Sequence, residues 1–498
     1  MSSNRSNVAL TNKEVAKSVF AFVINSIILI ALAVGLTYWG GTLDTEGGTP
    51  ISAGSYYYVI FCALLCVVIM YFYFFFENRS LLASGSKITM IFAAMEVYLS
   101  LAFLVGYYVN IYARPVALVA LLIVLLVGRK EAVFVNIICS LIVFMIDNLS
   151  LFPTRMECYT ALLIGFSAGT IAAFLAEGLK TRLRAIGVGA FIVIPIILII
   201  FLLEVSTLTD GTEDGGFFER VVTNMGYGLF GGLSSAVLFL AFLPIFELLF
   251  NCLTAFRLRE LTSPDAKLLK RLSERAQGTF NHSMIVAQIA EACAARLGED
   301  VACARAAAFY HDVGKLHQPD YFTENQSEYN PHDELTPELS ADIIRSHVRD
   351  GYELIKANRL PKILADVALE HHGTMPIRYF YAKALKMTDG DLNIEDFSYP
   401  GPKPKTKIAA IIMIADASEA AVRSLPNRSP EATEKVVREI IEERMDLEQF
   451  ADCDITMADL TAIRHTIVST LTGTHHHRIK YPSIKYRKTD DGTKGENV

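Results

Sequence analysis

Long apolar runs separated by short polar segments dominate the first half of the chain. A transmembrane helix needs about 20 predominantly apolar residues, and eight runs approach that length. They lie at residues 18–39, 55–76, 88–110, 115–128, 132–152, 159–176, 185–204 and 221–252, of which the fourth is short and the last is long. The first run lacks a short basic start and a cleavage site, so we predict that it is retained. The pattern predicts a first transmembrane helix at residues 18–39, a short extracytoplasmic loop at residues 40–54 and a seven-transmembrane region at residues 55–255.

The second half has the pattern of a soluble helical domain. Three Ser/Thr-Pro-acid triplets, at residues 263–265, 336–338 and 429–431, each place a capping residue before proline and an acidic residue in the first helical turn. Gly298 follows a helical run and is typical of a helix end. Alternating β-branched residues are scarce. We predict an all-α fold, in which a polytopic transmembrane bundle precedes an all-helical domain at residues 256–482 and a polar, disordered tail at residues 483–498.

Lysine and arginine are distributed unevenly between alternate loops, and cytoplasmic loops carry an excess of both. If residues 1–17 are cytoplasmic, three of these residues fall outside, at Arg114, Arg155 and Arg220. Ten fall inside, at Arg5, Lys13, Lys17, Arg79, Lys87, Arg129, Lys130, Lys180, Arg182 and Arg184. We therefore predict that the N-terminus and the helical domain are both cytoplasmic, and that a lipid bilayer surrounds the spans. Glu96 and Asp147 lie inside apolar runs, where they indicate either a functional site or helix packing.

The overall composition narrows the class of partner. The chain is 52% hydrophobic and 19% charged, with a formal net charge of −7. That charge argues against broad binding of nucleic-acid polymers and favours a small charged substrate. The eight cysteines include no CxxC pair, so we interpret them as apolar packing residues. All 11 histidines lie at or after His282, which places imidazole chemistry in the second half.

Five histidines and two aspartates of the second half form a candidate metal-ligand series. Imidazole and carboxylate together suit Mn²⁺, Fe²⁺ or Zn²⁺. Seven ligands are too many for one ion but suit two ions that share a carboxylate, and Asp312 is the natural bridge because it adjoins a ligand histidine. Two such ions activate water and hold a phosphoryl centre during in-line displacement. The predicted ligands are His282, His311, Asp312, His347, His371, His372 and Asp416.

Three features near these ligands suit a phosphate substrate. Lys315 places a cation about one helical turn after Asp312. The loop at residues 321–326 combines aromatic and amide side chains, which either bind a nucleobase or pack within the domain. The segment at residues 399–405 is a stiff basic loop, which either covers the site or connects two helices.

Seven short stretches resemble the HD-domain metal-dependent phosphohydrolase superfamily. Within it they are similar to the bacterial membrane-bound cyclic-di-AMP phosphodiesterases that join a seven-transmembrane region to a cytoplasmic HD domain. The stretches are residues 310–315 (YHDVGK), 324–326 (ENQ), 330–333 (NPHD), 346–348 (SHV), 371–374 (HHGT), 399–402 (YPGP) and 419–425 (EAAVRSL). Such relatives commonly carry a large extracellular domain between the first span and the next seven, whereas here residues 40–54 separate them.

The resemblance implies two divalent ions, manganese or iron, held by the seven ligands. It also implies hydrolysis of cyclic di-AMP to linear pApA by a hydroxide that both ions activate. We expect Asp312 and Lys315 to be the catalytic residues, and Lys315, Asn325 and Arg423 to contact the substrate. The expected location is the bacterial inner membrane, and homo-oligomerisation stays open. Signals are then expected to enter through the spans, because no large outer domain interrupts them.

Other functions stay open beside this one. A cyclic-di-GMP phosphodiesterase of the HD-GYP type extends its HH motif with Gly-Tyr-Pro, whereas residues 373–377 here are Gly-Thr-Met-Pro-Ile. A hydrolase of guanosine tetraphosphate has a site that resembles a single-metal HD site. A non-catalytic nucleotide-binding membrane receptor usually loses ligands, whereas this chain retains all seven.

Overall fold

The computed structural model describes residues 12–43, 51–149, 154–179, 181–206, 216–387 and 391–473. The chain forms two compact units, Met1–Ser263 and Pro264–Val498. Among the described residues every regular element is helical, apart from an isolated bridge between Pro376 and Ser398. The predicted all-α fold is therefore confirmed. The polar tail predicted at residues 483–498 lies outside the described residues.

The described residues of the first unit form ten α-helices. They are α1 (Asn12–Leu43), α2 (Ala53–Glu77), α3 (Arg79–Leu82), α4 (Gly85–Tyr108), α5 (Leu118–Leu126), α6 (Arg129–Leu149), α7 (Arg155–Ala176), α8 (Arg182–Ser206), α9 (Phe217–Phe250) and α10 (Ala255–Leu261). Within this described part, seven are long and apolar enough to cross a membrane, namely α1, α2, α4, α6, α7, α8 and α9. The short helix α10 lies in this unit, although residues from 256 onward were expected in the second domain.

The fourth apolar run forms a short buried helix in place of a full-length span. Pro115 restricts the preceding residue, and Arg114 has an extended backbone (φ −60°, ψ 143°). The chain therefore becomes helical again only at Leu118, and α5 has nine residues. At 1.5 Å per residue, α5 alone falls well short of a hydrocarbon core about 30 Å thick. Residues 117–123 are fully buried, because α4, α6, α7 and α9 pack around them.

Polar residues inside the bundle pack helices together. Arg114, which was expected in an outer loop, is buried and donates two hydrogen bonds to Asp147 near the end of α6, at 2.5 and 2.7 Å. Asn136 on α6 donates to the carbonyl of Gly165 on α7 at 3.0 Å. Of the two alternatives for Asp147, the structure thus shows a packing contact. Oε1 of Glu96 is buried and has no hydrogen bond to another described residue.

The described residues of the second unit form nine α-helices with 3₁₀ turns between them. The helices are α11 (Lys267–Arg275), α12 (Gln277–Leu297), α13 (Val301–Tyr310), α14 (Pro337–Ala357), α15 (Lys362–Glu370), α16 (Arg378–Leu385), α17 (Lys407–Arg423), α18 (Pro430–Asp446) and α19 (Met457–Gly473). Thr336 and Ser429 cap α14 and α18 as predicted, and Gly298 ends α12 with a φ of +74°. Helix α17 is central, because residues 408–416 are all buried against α12, α13, α15, α18 and α19.

Candidate metal centre

Five helices bring the predicted ligands together in two groups. Within each group the possible ligand atoms all lie within 4.8 Å of one another. One group uses the chain after α13, the middle of α14 and the chain after α15, and contains Asp312, His347, His371 and His372. The other uses α12, the chain after α13 and α17, and contains His282, His311, Asp312 and Asp416. Asp312 belongs to both.

The two carboxylate oxygens of Asp312 face different groups. Oδ1 lies 3.4 Å from Nε2 of His347 and 3.6 Å from Nε2 of His371. Oδ2 lies 3.3 Å from Nε2 of His311 and 3.8 Å from Nε2 of His282. Both oxygens are buried, and the nearest cationic group to them is the ammonium of Lys315, 2.8 Å from Oδ2. This arrangement fits a carboxylate that bridges two cations.

Backbone contacts direct three of the imidazoles toward the centre. In each, Nδ1 donates to the carbonyl oxygen three residues earlier. These bonds are His311 to Ala308 at 2.6 Å, His347 to Ile344 at 2.5 Å and His371 to Ala368 at 2.9 Å. A hydrogen on Nδ1 leaves the Nε2 lone pair for a metal. Nε2 of His311 is buried without a hydrogen bond to the described residues, so the donor set fits metal binding.

Glu419 is a further member of the centre and is absent from the predicted ligands. Its carboxylate forms a short hydrogen bond with Nδ1 of His282, and a carboxylate in that position orients a ligand histidine. A local signal was available, because Glu419 follows Asp416 by three residues on α17 and residues at that spacing share a helix face. Arg423, predicted to contact substrate, is half-exposed and lies 3.5 Å from Glu419.

Burial and charge shift the pKa values of the histidines in opposite directions. Burial lowers the pKa of His347 to about 3, and burial also holds the pKa of His372 well below its usual range. Burial acts the same way on His282 and His311, but the neighbouring carboxylates outweigh it. They raise the pKa of His282 to about 8 and that of His311 to about 10. Without a bound cation, the rings of His282 and His311 are therefore protonated on both nitrogens and positively charged at neutral pH.

The carboxylates respond to the same cationic neighbours. Burial alone would raise the pKa of Asp312, but His311 and Lys315 outweigh it and hold that pKa well below its usual range. His282 and His311 have the same effect on the pKa of Asp416. The centre therefore contains two ionised, buried carboxylates, whose charge a divalent cation can balance in place of protons.

Lys315 is enclosed beside the centre. Its Nζ lies 2.8 Å from Oδ2 of Asp312 and 2.8 Å from Oε1 of Glu324, and 4.9 Å from the ring centroid of Phe322. Burial would lower the pKa of Lys315, but the two carboxylates raise it above its usual value. The side chain therefore places a fixed positive charge next to the shared ligand.

The loop at residues 321–326 packs against the start of α12. Nδ2 of Asn325 donates to Oγ1 of Thr279 at 2.9 Å, and Oδ1 of Asn325 accepts from the Thr279 amide at 3.1 Å. A Cβ on Gly278 would lie 1.9 Å from the Glu324 carbonyl oxygen, so the absence of a side chain permits this contact. The amide of Asn325 is thus used within the domain.

The segment at residues 399–405 reaches the centre. The ring of Tyr399 stacks on His372, with centroids 4.3 Å apart and an interplanar angle of 18°. It also meets His347 edge-on at 5.9 Å. The amide of Lys405 donates to Oε2 of Glu370 at 3.1 Å, which fixes the other end of the segment.

A close backbone crossing sets the relation between the ligand segments. The chain after Asp312 lies against α14 at Gly314. A Cβ on Gly314 would lie 1.9 Å from the carbonyl oxygen of His347 and 2.5 Å from the amide nitrogen of Gly351. The segment can therefore approach α14 only because residue 314 has no side chain.

Both units match known families. Residues 55–254 match the family described as a 7TM receptor with intracellular HD hydrolase, and residues 279–421 match the HD domain. The chain therefore belongs to the family of multi-pass membrane proteins that join a seven-transmembrane region to an HD domain. The resemblance inferred from the sequence is confirmed. HD domains depend on metal ions, and the two His/Asp groups supply residues able to bind them.

Individual relatives carry more specific names. The cyclic-di-AMP phosphodiesterase PgpH of Listeria monocytogenes is 39% identical over 376 residues, which are 74% of this chain and 50% of the relative. PgpH of Bacillus subtilis is 38% identical over 411 residues, 82% of this chain and 56% of the relative. The chain thus spans about half the length of these relatives. A crystal structure of the L. monocytogenes PgpH HD domain in complex with cyclic-di-AMP also matches, with 48% sequence identity and a TM-score of 0.41. The match covers 43% of this chain and 99% of the chain in that structure.

Proposed function

We propose that the protein is a membrane-bound, metal-dependent phosphodiesterase that hydrolyses cyclic di-AMP to pApA. The observation that carries this proposal is Asp312, whose two oxygens face two separate groups of ligand atoms. Two cations that share a carboxylate suit in-line displacement at phosphorus. The choice of nucleotide is supported by the names of the relatives and by the ligand of the 48% identical HD domain.

In the proposed site each group would hold one ion, manganese or iron, because mixed imidazole and carboxylate donors suit these metals. When bound, the ions supply an activated water and positive charge at the phosphodiester. The protein supplies the rest of the environment. Backbone carbonyls fix the rings of His311, His347 and His371, and Glu419 fixes that of His282.

Three residues were expected to contact the substrate, and their surroundings support different roles. We propose that Lys315 places its charge beside the reacting phosphodiester, where it stabilises the transition state. The half-exposed guanidinium of Arg423 is suited to a second phosphate of the substrate. Asn325 donates to Thr279 and, at 3.3 Å, to the carbonyl of Pro319. We therefore assign Asn325 to anchoring of its loop.

The test is a nucleotide panel with the 498-residue protein in detergent and Mn²⁺. Cyclic di-AMP, cyclic di-GMP and guanosine tetraphosphate are offered separately, and products are resolved by chromatography. We expect pApA from cyclic di-AMP and none from an Asp312→Asn variant. Faster cleavage of cyclic di-GMP would contradict the assignment. Binding of cyclic di-AMP without turnover by the metal-loaded protein would favour the receptor alternative.

We propose that the protein lies in the inner membrane of a bacterium and that its HD domain faces the cytoplasm. If the N-terminus is also cytoplasmic, the chain must cross the membrane an even number of times. Seven helices of the described residues are long enough to cross, so we propose that the segment from Ile111 to Gly128, the fourth in chain order, makes one further crossing. Near the start of this segment, Arg114 pairs with Asp147 at one end of α6. The last residue of the segment, Gly128, directly precedes Arg129 at the other end of α6. These α6 residues are 18 apart, about 27 Å along a helix. Non-helical backbone is tolerated at membrane depth where protein buries it.

Reporter fusions test this crossing. Fusions after Val109 and after Lys130 should report opposite sides of the membrane, because the segment between them crosses. Fusions at Asp210 and after Arg259 should also report opposite sides. Signals from the same side at Val109 and Lys130 would show that the segment from Ile111 to Gly128 enters and leaves on one side. The HD domain would then lie on the opposite side of the membrane from the one proposed.

A further inference from the structure

Glu324 occupies a position that the proposed reaction does not use. Its Oε1 lies 2.8 Å from Nζ of Lys315, which in turn lies 2.8 Å from Oδ2 of Asp312. All three side chains are at most 12% exposed. A buried carboxylate is costly unless it is paired, and the ammonium serves both acids. The three groups form a carboxylate–ammonium–carboxylate row that ends on the proposed bridging ligand.

This row is anchored to the helix that carries His282. Oγ1 of Thr279 donates to Oε1 of Glu324 at 2.9 Å and accepts from Nδ2 of Asn325 at 2.9 Å. Thr279 is fully buried on α12 and precedes His282 by three residues. Glu324 is therefore fixed relative to a ligand of one group, while through Lys315 it contacts the residue that both groups share.

An ammonium beside the bridging carboxylate opposes metal binding. It competes with a divalent cation for Oδ2 of Asp312 and repels that cation. A second carboxylate on the far side of the ammonium offsets its charge and restrains its position. We propose that Glu324 is a positioning residue of the metal centre, which holds the Lys315 ammonium at the edge of Asp312 and balances its charge. This inference rests on the proposed metal site, though not on the identity of the nucleotide.

A double-variant cycle on the 498-residue protein in detergent tests this role, with the Kd for Mn²⁺ as the readout. Glu324→Gln keeps the side-chain shape and removes its charge. We expect it to weaken Mn²⁺ binding roughly 10-fold, as is common for partners of metal ligands. In a Lys315→Met background the same change should weaken binding less than about 3-fold, because the charge to be balanced is gone. Wild-type affinity in Glu324→Gln, or equal weakening in both backgrounds, would overturn the proposal.

Two further variants separate this role from a general loss of charge or fold. Glu291→Gln is the control for loss of a paired carboxylate. Glu291 pairs with Arg305 at 2.5 Å, but both side chains are about 40% exposed. It should leave the Kd unchanged, and a similar weakening there would overturn the proposal. Thr279→Val removes the hydroxyl that holds Glu324 while keeping its charge. It should weaken Mn²⁺ binding by a smaller factor, and an unchanged Kd would refute the anchoring.

Nucleotide turnover is a separate outcome. Mn²⁺ affinity is measured without nucleotide, so it reports on the metal centre alone. A protein that follows the expected cycle but does not hydrolyse cyclic di-AMP would refute the proposed function and support the role of Glu324.

Discussion

Arg114 and Asp147 form an ion pair with hydrogen bonds of 2.5 and 2.7 Å, although 33 residues separate them in sequence. Both side chains are buried within the first unit. The pair joins the extended chain before α5 to the end of α6. It therefore fixes the non-helical start of this segment against α6, beyond the N-terminus of the short helix α5.

Removal of one partner should destabilise the membrane unit. Arg114→Met removes one partner of this buried ion pair, and such changes typically cost about 3–5 kcal/mol. The double variant Arg114→Met with Asp147→Asn should recover most of the loss, because it removes both charges of the pair together. Thermal denaturation of the purified protein in detergent measures both. A single variant as stable as the wild type would show that this ion pair does not hold the segment.

Loss of the shared carboxylate should empty both ion positions. Elemental analysis of the wild-type protein is expected to approach two transition-metal ions per chain, as a dinuclear site requires. Asp312→Ala should lose most of the metal and all turnover, because Asp312 contributes to both groups. Asp342→Ala is the control, since this exposed aspartate on α14 lies outside both groups. An active wild type with a single tightly bound ion would contradict the two-ion proposal.

Loss of the Lys315 charge should affect turnover more than metal content. Lys315→Met is expected to retain its metal, because it removes a cation that competes for Asp312. Turnover of cyclic di-AMP should fall roughly 10²-fold, as for other preorganised groups that stabilise a transition state. Lys315→Arg should rescue only part of this loss, since a planar fork replaces a point charge. Full activity of Lys315→Met with normal metal content would exclude Lys315 from catalysis.

Metal affinity should rise with pH. Ligand histidines bind metal as neutral rings, whereas the pKa values of His282 and His311 are raised to about 8 and about 10 in the metal-free protein. Below about pH 8 an incoming ion must displace both protons, so its apparent affinity should rise with pH by up to about 100-fold per unit. The slope should fall once His282 is neutral.

Calorimetry provides the measurement for this pH dependence. Titrations of chelator-treated protein with Mn²⁺, in two buffers of different ionisation enthalpy, count the protons released per ion. Release should approach two protons for the group that contains His282 and His311. A Kd that is constant across this pH range, with no proton release, would show that these rings are neutral before the metal binds.

The candidate ligands were accessible from sequence because each is recognisable by residue type and local context. Asp416, for example, lies within an apolar helix where an ionised side chain calls for a cation. The partner of Lys315 carried no comparable signal. Glu324 follows nine residues later, and the two meet only because the intervening turns fold the loop onto Thr279. Such a contact depends on tertiary packing that no local pattern encodes.

The fourth apolar run shows why hydropathy predicted a span but not its shape. Apolar residues are favoured by burial in protein as much as by lipid, and residues 118–123 are enclosed by neighbouring helices. Pro115 was the local signal that the helix would begin late, because it excludes the preceding residue from the helical region. Hydropathy therefore located the segment, and backbone stereochemistry determined how much of it is helical.

Gly314 has a consequence for the range of metals that the centre can accept. Its backbone lies against the carbonyl of His347, so two ligand-bearing segments touch without an intervening side chain. Interiors packed in this way are hard to compress or spread. In the proposed site the distance between Asp312 and His347 would then be set by the main chain, so an ion of different radius would have to be accommodated by movement of the side chains. Gly314 would therefore limit which cations the proposed site accepts, although it has no side chain that could bind one.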